Sequence, residues 1–427
     1  MLTYIRLVTR RTVEFSCAIV IVGLLAGVAG AATTLFLHAI EHLAYRYSFG
    51  TLLDGVAGSN HVRRALGPMV GGALAGCGWW LLRRRSEVPA LSATIAAHRP
   101  IPRLPMAIDA VLQVLLVGSG ASLGREGAPR QLAAVWGDVG TSRLALTGRD
   151  REILLCCAAG AGLGAVYSVP LAGALFATRI LLGTWHPRAL GTALITSSLA
   201  VAVAAPVTHL KHPLVWPNFQ LSYLFVFLAV ALAPLAVAIG LTFDRLMTTA
   251  KGTALAKSWL LIPAIGAAGL LTGVCSIWLP QLPGNGRSVL EVSMNSELTL
   301  GTAAAILLLK PLLTALFLRA GAVGGLLTPA LATGAAAGSL VTIALNQWAG
   351  IDLHVAAVSL SCAAGVLAVT QRSPLFAALF VWALARPPLW LLVVFAAGAY
   401  TAYGITVLRR KHQQPRACGC QGTTEAT

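Results

Sequence analysis

The sequence predicts an all-α polytopic membrane protein made of two homologous halves, with broken helices that meet near the middle of the membrane. Three observations support this fold class. The chain of 427 residues is 57% hydrophobic and only 11% charged, whereas soluble domains carry about 25% charged residues. Apolar stretches recur along its whole length. Glycine-rich breaks that end in proline occur at corresponding places in the two halves.

Apolar stretches along the chain predict the helices in order. A helix needs about 20 apolar residues to cross a bilayer, and the stretches fall on both sides of that length. The mixture favours complete transmembrane helices interleaved with partial or broken ones. The stretches are Phe15–Ile40, Ala65–Leu82, Met106–Val117, Ile153–Leu182, Leu190–Val207, Leu221–Phe243, Trp259–Leu279, Leu298–Leu318, Leu326–Leu345, Val355–Val369 and Leu375–Tyr403.

Basic residues at both ends predict how the chain lies in the membrane. Arg6, Arg10 and Arg11 precede the first apolar stretch, and a basic run from Arg409 follows the last. The positive-inside rule therefore puts both ends in the cytoplasm, in the inner (plasma) membrane of a bacterial-type cell. The predicted parts are a cytoplasmic N-terminus (1–14), a membrane domain (15–408, with halves of about 15–207 and 221–408) and a short cytoplasmic tail (409–427).

The formal net charge of +17 does not indicate a nucleic-acid partner. The basic residues are scattered over loops such as Arg83–Arg85 and Arg99–Arg103. This distribution is typical of the positive-inside bias and of contact with anionic lipids, and it also concentrates anions near a pore entrance. Cys418 and Cys420 alone offer too few ligands for a metal ion. We expect no metal and no cofactor, with the lipid bilayer as surroundings.

An internal repeat divides the chain. The segment Cys157–Phe176 recurs at Cys362–Phe380, with Cys-Ala-Ala-Gly followed by Pro-Leu and Ala-Leu-Phe in both. A glycine-rich break lies upstream of each copy, at 124–129 and at 324–329. The two breaks are 200 residues apart, and the prolines at 170 and 374 are 204 apart. Repeats with broken helices place a substrate site near the midplane, where both halves meet.

The first break carries a charged pair, Arg125 and Glu126, between Gly124 and Gly127. A carboxylate near the middle of a bilayer costs about 2.5–3.5 kcal/mol and is functional by default. The glycines and Pro129 end one helix segment and begin another, which leaves N–H groups that attract anions. Glu126 would compete with an anion for these donors and release them when protonated. The alternative is a structural pair of Glu126 with Arg125, although adjacent residues rarely face each other on a helix.

The second break, Gly321–Pro329, carries no charge. The N–H groups of Gly325, Leu326 and Leu327 would be its anion donors. The alternative is close helix packing through small residues. The repeat favours a site, so the two breaks together predict an anion pathway with an ionisable gate.

A remote alternative is a membrane-embedded serine hydrolase. Gly120–Gly124 matches the pattern G-x-S-x-G, with Ser122 at the nucleophile position. That motif requires a strand, a turn and a helix in a parallel sheet. The surroundings of Ser122 predict membrane helix instead, so we expect transport rather than catalysis.

These motifs resemble those of the CLC family of chloride channels and chloride/proton exchangers. Gly124–Gly127 matches the family's G-R-E-G-P signature, with Ala128 in place of the proline. Ala158–Phe176 resembles its A-P-L-A-G-x-L-F segment, and Gly324–Pro329 resembles its G-G-x-F-x-P loop with Leu327 in place of Phe. The resemblance covers nearly the whole membrane domain. It implies a homodimer with one pore per subunit, an inverted repeat, and transport of chloride or a similar small anion without C-terminal nucleotide-binding modules.

The resemblance also implies roles for individual residues. Glu126 resembles the external gating glutamate. Tyr403 resembles the inner tyrosine that caps the central anion, with Tyr400 as a rival. Ser86 lies in Arg85–Pro89, which keeps the serine and proline of the family's G-S-G-I-P loop but neither glycine. The residues implied to bind the anion are Gly124, Arg125, Gly127, Gly325, Leu326, Leu327, Tyr403 and Ser86.

Proton coupling is the point at which the sequence departs from the family's exchangers. Those exchangers have acids three and four residues after the Phe that matches Phe176, whereas this chain has Arg179 and Ile180. Asp109 and Asp244 are the acids that could replace them. We therefore expect passive or weakly proton-coupled conduction. A proton-coupled exchanger of chloride or fluoride is the alternative, because the sequence after Glu126 is similar to the fluoride-handling branch.

Overall fold

The structure is a computed structural model that describes residues 2–208, 216, 222–255 and 257–413, with side chains from 11 to 412. Residues 414–427 of the expected tail, including Cys418 and Cys420, lie outside the described residues, as do the side chains of Arg6 and Arg10. The described part is all-helical apart from one isolated two-residue β-bridge. Its helices are α1 (Leu2–Tyr45), α2 (Leu52–Gly58), α3 (His61–Arg85), α4 (Leu91–Ala96), α5 (Arg103–Gly118), α6 (Gly127–Gly140), α7 (Gly148–Tyr167), α8 (Pro170–Leu175), a π-helical turn (Phe176–Leu181), α9 (Pro187–Thr208), α10 (Leu224–Ala231), α11 (Ala233–Gly252), α12 (Leu261–Cys275), α13 (Arg287–Met294), α14 (Leu300–Arg319), α15 (Leu327–Ala349), α16 (Val355–Gln371), α17 (Pro374–Ala385) and α18 (Leu391–Gln413).

Six of these helices are long and apolar enough to cross a membrane, namely α1, α3, α9, α14, α15 and α18. The pair α10 and α11 would form a seventh span, but its two helices are bent by 42°. Pro234 lies in the first turn of α11, where the N–H group that proline lacks would have no helical partner. The apolar stretch from Leu221 is therefore a bent pair rather than one helix. The predicted polytopic all-α class is confirmed.

Both halves contain the same interruption. The residue after α7, Ser168, has φ 56°, and the residue after α16, Arg372, has φ 53°. This left-handed conformation ends each helix. Pro170 and Pro374 then begin α8 and α17, since proline suits the first position of a helix. The repeat deduced from the sequence is thus a structural repeat.

The two glycine-rich breaks meet inside the molecule. The first break lies between α5 and α6, and the second lies between α14 and α15. An antiparallel bridge joins Gly124 of the first break to Gly325 of the second. Helix α15 is the most enclosed of the six spans. Of the residues in its most apolar segment 78% are buried inside the protein, against 33–44% for the other five helices. Broken helices of both halves therefore meet at the centre, as predicted.

Small residues allow α15 to pack so closely. A Cβ on Gly334 would lie 2.7 Å from the Cα of Ala363, and a Cβ on Gly338 would lie 2.6 Å from the Cα of Ser359. Both distances are shorter than real carbon contacts, so the backbones of α15 and α16 touch at the glycines. This packing holds the N-terminus of α15 in place at the break.

Candidate functional site

Main-chain hydrogen bonds lock the two breaks together. The Gly124 N–H donates to the Gly325 carbonyl at 2.8 Å, and the Gly325 N–H donates to the Gly124 carbonyl at 2.8 Å. The Thr314 hydroxyl of α14 adds a third connection, because it donates to the Ser122 carbonyl at 2.8 Å. The amides of both glycines are therefore committed to each other. The sequence predicts anion binding by Gly124 and Gly325, but their N–H groups form a structural junction instead, which leaves the amides of Leu326 and Leu327 as the donors.

The Glu126 side chain lies across this junction. It is fully buried at 0% exposure, and it immediately precedes α6. Its Oε1 accepts hydrogen bonds from both the N–H and the hydroxyl of Thr328, each at 2.6 Å. Its Oε2 has no hydrogen-bond partner in the described part of the chain and lies against Gly124 and Gly325, where a Cβ on either glycine would collide with it. Glycine is thus required on both sides of the carboxylate.

The partner of Glu126 lies at the N-terminus of α15, which belongs to the other half. The first amides of a helix have no carbonyl partner within it and attract negative charge. The N–H groups of Leu326 and Leu327 make no hydrogen bond in the described ranges, so they are free donors beside Thr328. A carboxylate from the first half therefore occupies an anion-binding helix end of the second half.

Arg125 does not pair with Glu126. Its guanidinium stacks over the Tyr167 ring at 4.9 Å and donates to the Val166 carbonyl at 3.4 Å. The Tyr167 hydroxyl in turn accepts from the Asn285 amide at 3.5 Å. Within the described ranges Arg125 forms no ion pair. The structural Arg125–Glu126 pair considered from the sequence is absent there, and the carboxylate is left to its Thr328 donors.

A buried lysine supports the site from behind. Lys310 of α14 is fully buried, and its ammonium donates to the carbonyls of Leu282 (2.8 Å) and Gly284 (2.7 Å). Gly286 lies between Lys310 and Thr328. A Cβ added to Gly286 would lie 3.4 Å from Cε of Lys310 and 3.3 Å from the Thr328 carbonyl oxygen. No acid pairs with Lys310 among the described residues. A lysine side chain with no acidic partner in the described ranges therefore lies close behind the Thr328 end of α15.

Sequence reasoning missed Thr328 and Lys310. A hydroxyl two residues after Leu326 and just before Pro329 was the available signal for Thr328. Lys310 was detectable as a charge inside an apolar stretch, the same signal that indicated Glu126. Thr328 reaches the site through a contact across the two halves, whereas Lys310 is held there by contacts within the second half.

Ser86 and the tyrosines make no hydrogen bond with this cluster in the described ranges. The Ser86 hydroxyl donates to the Leu82 carbonyl at 3.2 Å and thereby caps α3. Tyr403 lies half-buried within the continuous helix α18, and Tyr400 is 51% exposed. Neither tyrosine hydroxyl has a hydrogen bond in the part of the chain that the structure describes. The roles assigned to Ser86 and Tyr403 by resemblance remain predictions.

The positions after Phe176 contain no acid and form a π-helical turn, Phe176–Leu181. The Arg179 guanidinium lies over the Trp185 ring at 4.4 Å, and Ile180 packs against the apolar core. One turn into α6, Arg130 donates from Nε to the Glu126 carbonyl at 2.8 Å and stacks over the Phe176 ring at 5.0 Å. Arg130 thus connects the Glu126 main chain to the Phe176 ring.

Ser122 does not have the surroundings of a hydrolase nucleophile. Its side chain is fully buried, and its hydroxyl has no hydrogen-bond partner in the described ranges. A serine nucleophile needs a general base within hydrogen-bond reach. The segment around Ser122 is a break between helices rather than a strand and turn of a sheet. The hydrolase alternative therefore has no geometric support.

Fold and site together define a class of protein: a multi-pass membrane protein in which two helix breaks, one from each half, enclose an anion-type site. Comparison with known proteins gives the same class. Residues 71–407 match the model of the family described as "Voltage gated chloride channel". The chain belongs to this family, whose members transport anions.

Individual relatives agree with this membership. The voltage-gated ClC-type chloride channel ClcB of Escherichia coli (strain K12) is 29% identical over 378 residues, 84% of this chain and 88% of the relative. The ClcB protein of Citrobacter koseri shows the same identity and coverage.

Solved structures share the fold. A slow cyanobacterial Cl-/H+ antiporter has a TM-score of 0.74 at 19% identity and covers 94% of this chain and 99% of its own. A CLC-type fluoride/proton antiporter has a TM-score of 0.66 at 20% identity, with 92% and 95% covered. At these identities the likeness concerns the fold alone. The CLC-type fold expected from the motifs is confirmed.

Proposed function

We propose that this chain transports chloride or a similar small inorganic anion, passively or with weak proton coupling, and that Glu126 is its gate. One observation carries the proposal: the buried Glu126 carboxylate accepts both donors of Thr328 at the N-terminus of α15. A small anion would use the same donors, because helix N-termini bind anions through free amides and the helix dipole. Glu126 and the anion then compete for one place.

Protonation would open the gate. A neutral carboxyl group binds the Thr328 donors more weakly than a carboxylate does, so it leaves them more readily. An anion then takes the Thr328 hydroxyl and the free amides of Leu326 and Leu327. When it is protonated, Lys310, close behind Thr328, would favour negative charge there. Tyr403 and Ser86 remain proposed ligands on the inner side.

Weak coupling follows from the inner side of the gate. Coupled exchange needs a second proton-binding group there, and Arg179 stays protonated while Ile180 cannot bind a proton. The second candidate is a proton-coupled exchanger of chloride or fluoride. It is favoured by one observation, a buried acid at Asp109 in the neighbouring helix α5.

Assembly and topology belong to the same proposal. We place the chain in the inner (plasma) membrane as a homodimer with one pore per subunit and both termini in the cytoplasm. The arginines before and after the membrane domain support this orientation. Crosslinking in membranes and accessibility of a tag at either end would test it.

Flux from proteoliposomes tests the function. Purified protein should release chloride or fluoride down a gradient, and Glu126→Gln should alter the rate. Reversal potentials measured for each anion across a proton gradient give selectivity and coupling together. If the vesicles release neither anion, the transport proposal is wrong, and labelling of Ser122 by a serine-reactive probe would then support the hydrolase.

A further inference from the structure

A second buried carboxylate lies near the gate, in helix α5. Asp109 is only 2% exposed. Its Oδ1 accepts a hydrogen bond from the indole N–H of Trp79 at 2.7 Å, and its Oδ2 accepts one from the Gln113 amide at 2.8 Å. Burying a carboxylate inside a membrane domain is costly in free energy unless hydrogen-bond donors or opposite charges stabilise it. These two donors, from α3 and α5, are such partners.

Gln113 connects Asp109 to the gate segment. Its amide nitrogen also donates to Oε1 of Gln131 at 2.8 Å. Its own Oε1 is buried with no hydrogen-bond donor in the described ranges, and it lies against Gly127, where a Cβ would overlap it. Gly127 follows Glu126 directly. The side chains of Asp109 and Gln113 therefore reach from α5 to the residue beside the gate.

The position of Asp109 along the helices is equally informative. Helices α5 and α6 are antiparallel, with Arg103 at the start of α5 paired to Asp138 near the end of α6 at 2.8 Å. At about 1.5 Å per residue, Gln113 lies about 15 Å along α5 from Arg103, and Gly127 lies about 17 Å along α6 from Asp138. Asp109 lies only about 9 Å along α5 from Arg103. Asp109 is thus on the Arg103 side of the gate. Positive charge marks this side as the cytoplasmic face.

The charges that face Asp109 are few. From α3, the guanidinium of Arg83 interacts with it electrostatically, and the partner Trp79 is neutral. From α5 and α6, Gln113 and Gln131 are neutral amides. The carboxylate is therefore held by neutral hydrogen-bond donors, with the Arg83 guanidinium as the charged group near it.

We propose that Asp109 is the second proton-binding group of this transporter and that residual proton coupling passes through it. The inference rests on the proposed gate at Glu126. A proton enters from the Arg103 side and binds an Asp109 oxygen. A water held at Gln113 Oε1 would carry it on to Oε2 of Glu126; neither oxygen has a hydrogen-bond partner among the described residues. Asp109 returns to the carboxylate as Glu126 becomes the neutral acid, so charge and protons balance and water is not consumed.

The test uses the full chain in proteoliposomes with an outward gradient of chloride or fluoride. Anion release and external pH are recorded together for the wild type, Asp109→Asn and Asp244→Asn. Asp244→Asn is the matched control, because Asp244 is exposed on α11. We expect wild-type anion release to be accompanied by a small uphill proton movement. Asp109→Asn should reduce the number of protons moved per anion released by roughly 10²-fold, the usual contribution of a positioned acid or base.

The outcomes separate this inference from the proposed function. If anions move in the wild type without protons, or if Asp109→Asn moves protons like the control, the inference is overturned and the anion gate stands. If no anion moves, the proposed function itself fails. If Asp109→Asn does not fold, Trp79→Phe serves as a second variant, because it keeps the carboxylate and removes only the indole donor. Loss of one of the two donors to the carboxylate should change the dependence of proton flux on pH, and an unchanged profile would contradict the role of Asp109.

Discussion

Replacing Glu126 by glutamine is the sharpest test of the gate. The glutamine amide oxygen can still accept the two hydrogen bonds that Thr328 donates to Glu126 Oε1 at 2.6 Å. What the substitution removes is the negative charge that competes with the anion. We expect faster anion flux at neutral pH and a flattened dependence of flux on pH.

The size of the effect follows from the same two contacts. A hydrogen bond to a charged acceptor contributes about 1.5–3 kcal/mol, and a neutral one contributes about 0.5–1.5 kcal/mol. Two such bonds lose about 2–3 kcal/mol between them, which weakens the hold of the gate roughly 30–150-fold. Flux should rise by less than this factor once another step becomes limiting.

The assay is anion efflux from proteoliposomes over a range of pH. Wild-type flux should rise on acidification, because the neutral acid holds the Thr328 donors less tightly than the carboxylate does. Glu126→Gln should give the acid-type rate at every pH, and Glu126→Ala, which removes both acceptor oxygens, should match or exceed it. A Glu126→Gln variant with the wild-type pH response would refute the competition between carboxylate and anion.

Three further substitutions test other parts of the site. Gly325→Ala places a Cβ against Glu126 Oε2, so it should displace the gate and raise anion flux at neutral pH. Gly301→Ala is the control, because a Cβ there meets open space; equal flux for the two variants would contradict the packing argument. Lys310→Met leaves two buried carbonyls without a donor, and each unsatisfied carbonyl costs about 1–3 kcal/mol of stability, so the melting temperature should fall. The anion affinity measured by calorimetry should fall as well, and an unchanged affinity would exclude an electrostatic role of Lys310. Exchanging Leu326 or Leu327 for other apolar residues should alter the anion affinity measured by calorimetry only modestly, because the backbone amides remain. Tyr403→Ala should weaken anion binding more, because it removes a hydroxyl donor; the reverse ranking would count against these residues as anion ligands.

Several features of the site were predictable because they depend on local sequence. The repeat of Cys157–Phe176 at Cys362–Phe380 was read from the sequence, and the structure shows the same helix interruption before Pro170 and Pro374 in the two copies. A carboxylate in apolar surroundings indicated Glu126 as functional. The offset between the breaks predicted that they meet, and the Gly124–Gly325 bridge confirms this.

Other features were not predictable from local patterns. Thr328 reaches Glu126 across 202 positions of the sequence. Lys310 reaches the Leu282 carbonyl across 28, and Trp79 reaches Asp109 across 30. No periodicity records such contacts, since they arise only when helices from distant parts of the chain pack together.

The sequence by itself determined the membrane class, the two halves, the breaks and the acid at Glu126. Hydrophobicity, proline and glycine act through neighbouring residues, so their effects can be deduced without coordinates. Only the tertiary structure decided that Arg125 turns to Tyr167 and that the carboxylate takes the Thr328 donors. The direction of a buried polar side chain depends on which donor and which charge the packing brings within about 3 Å.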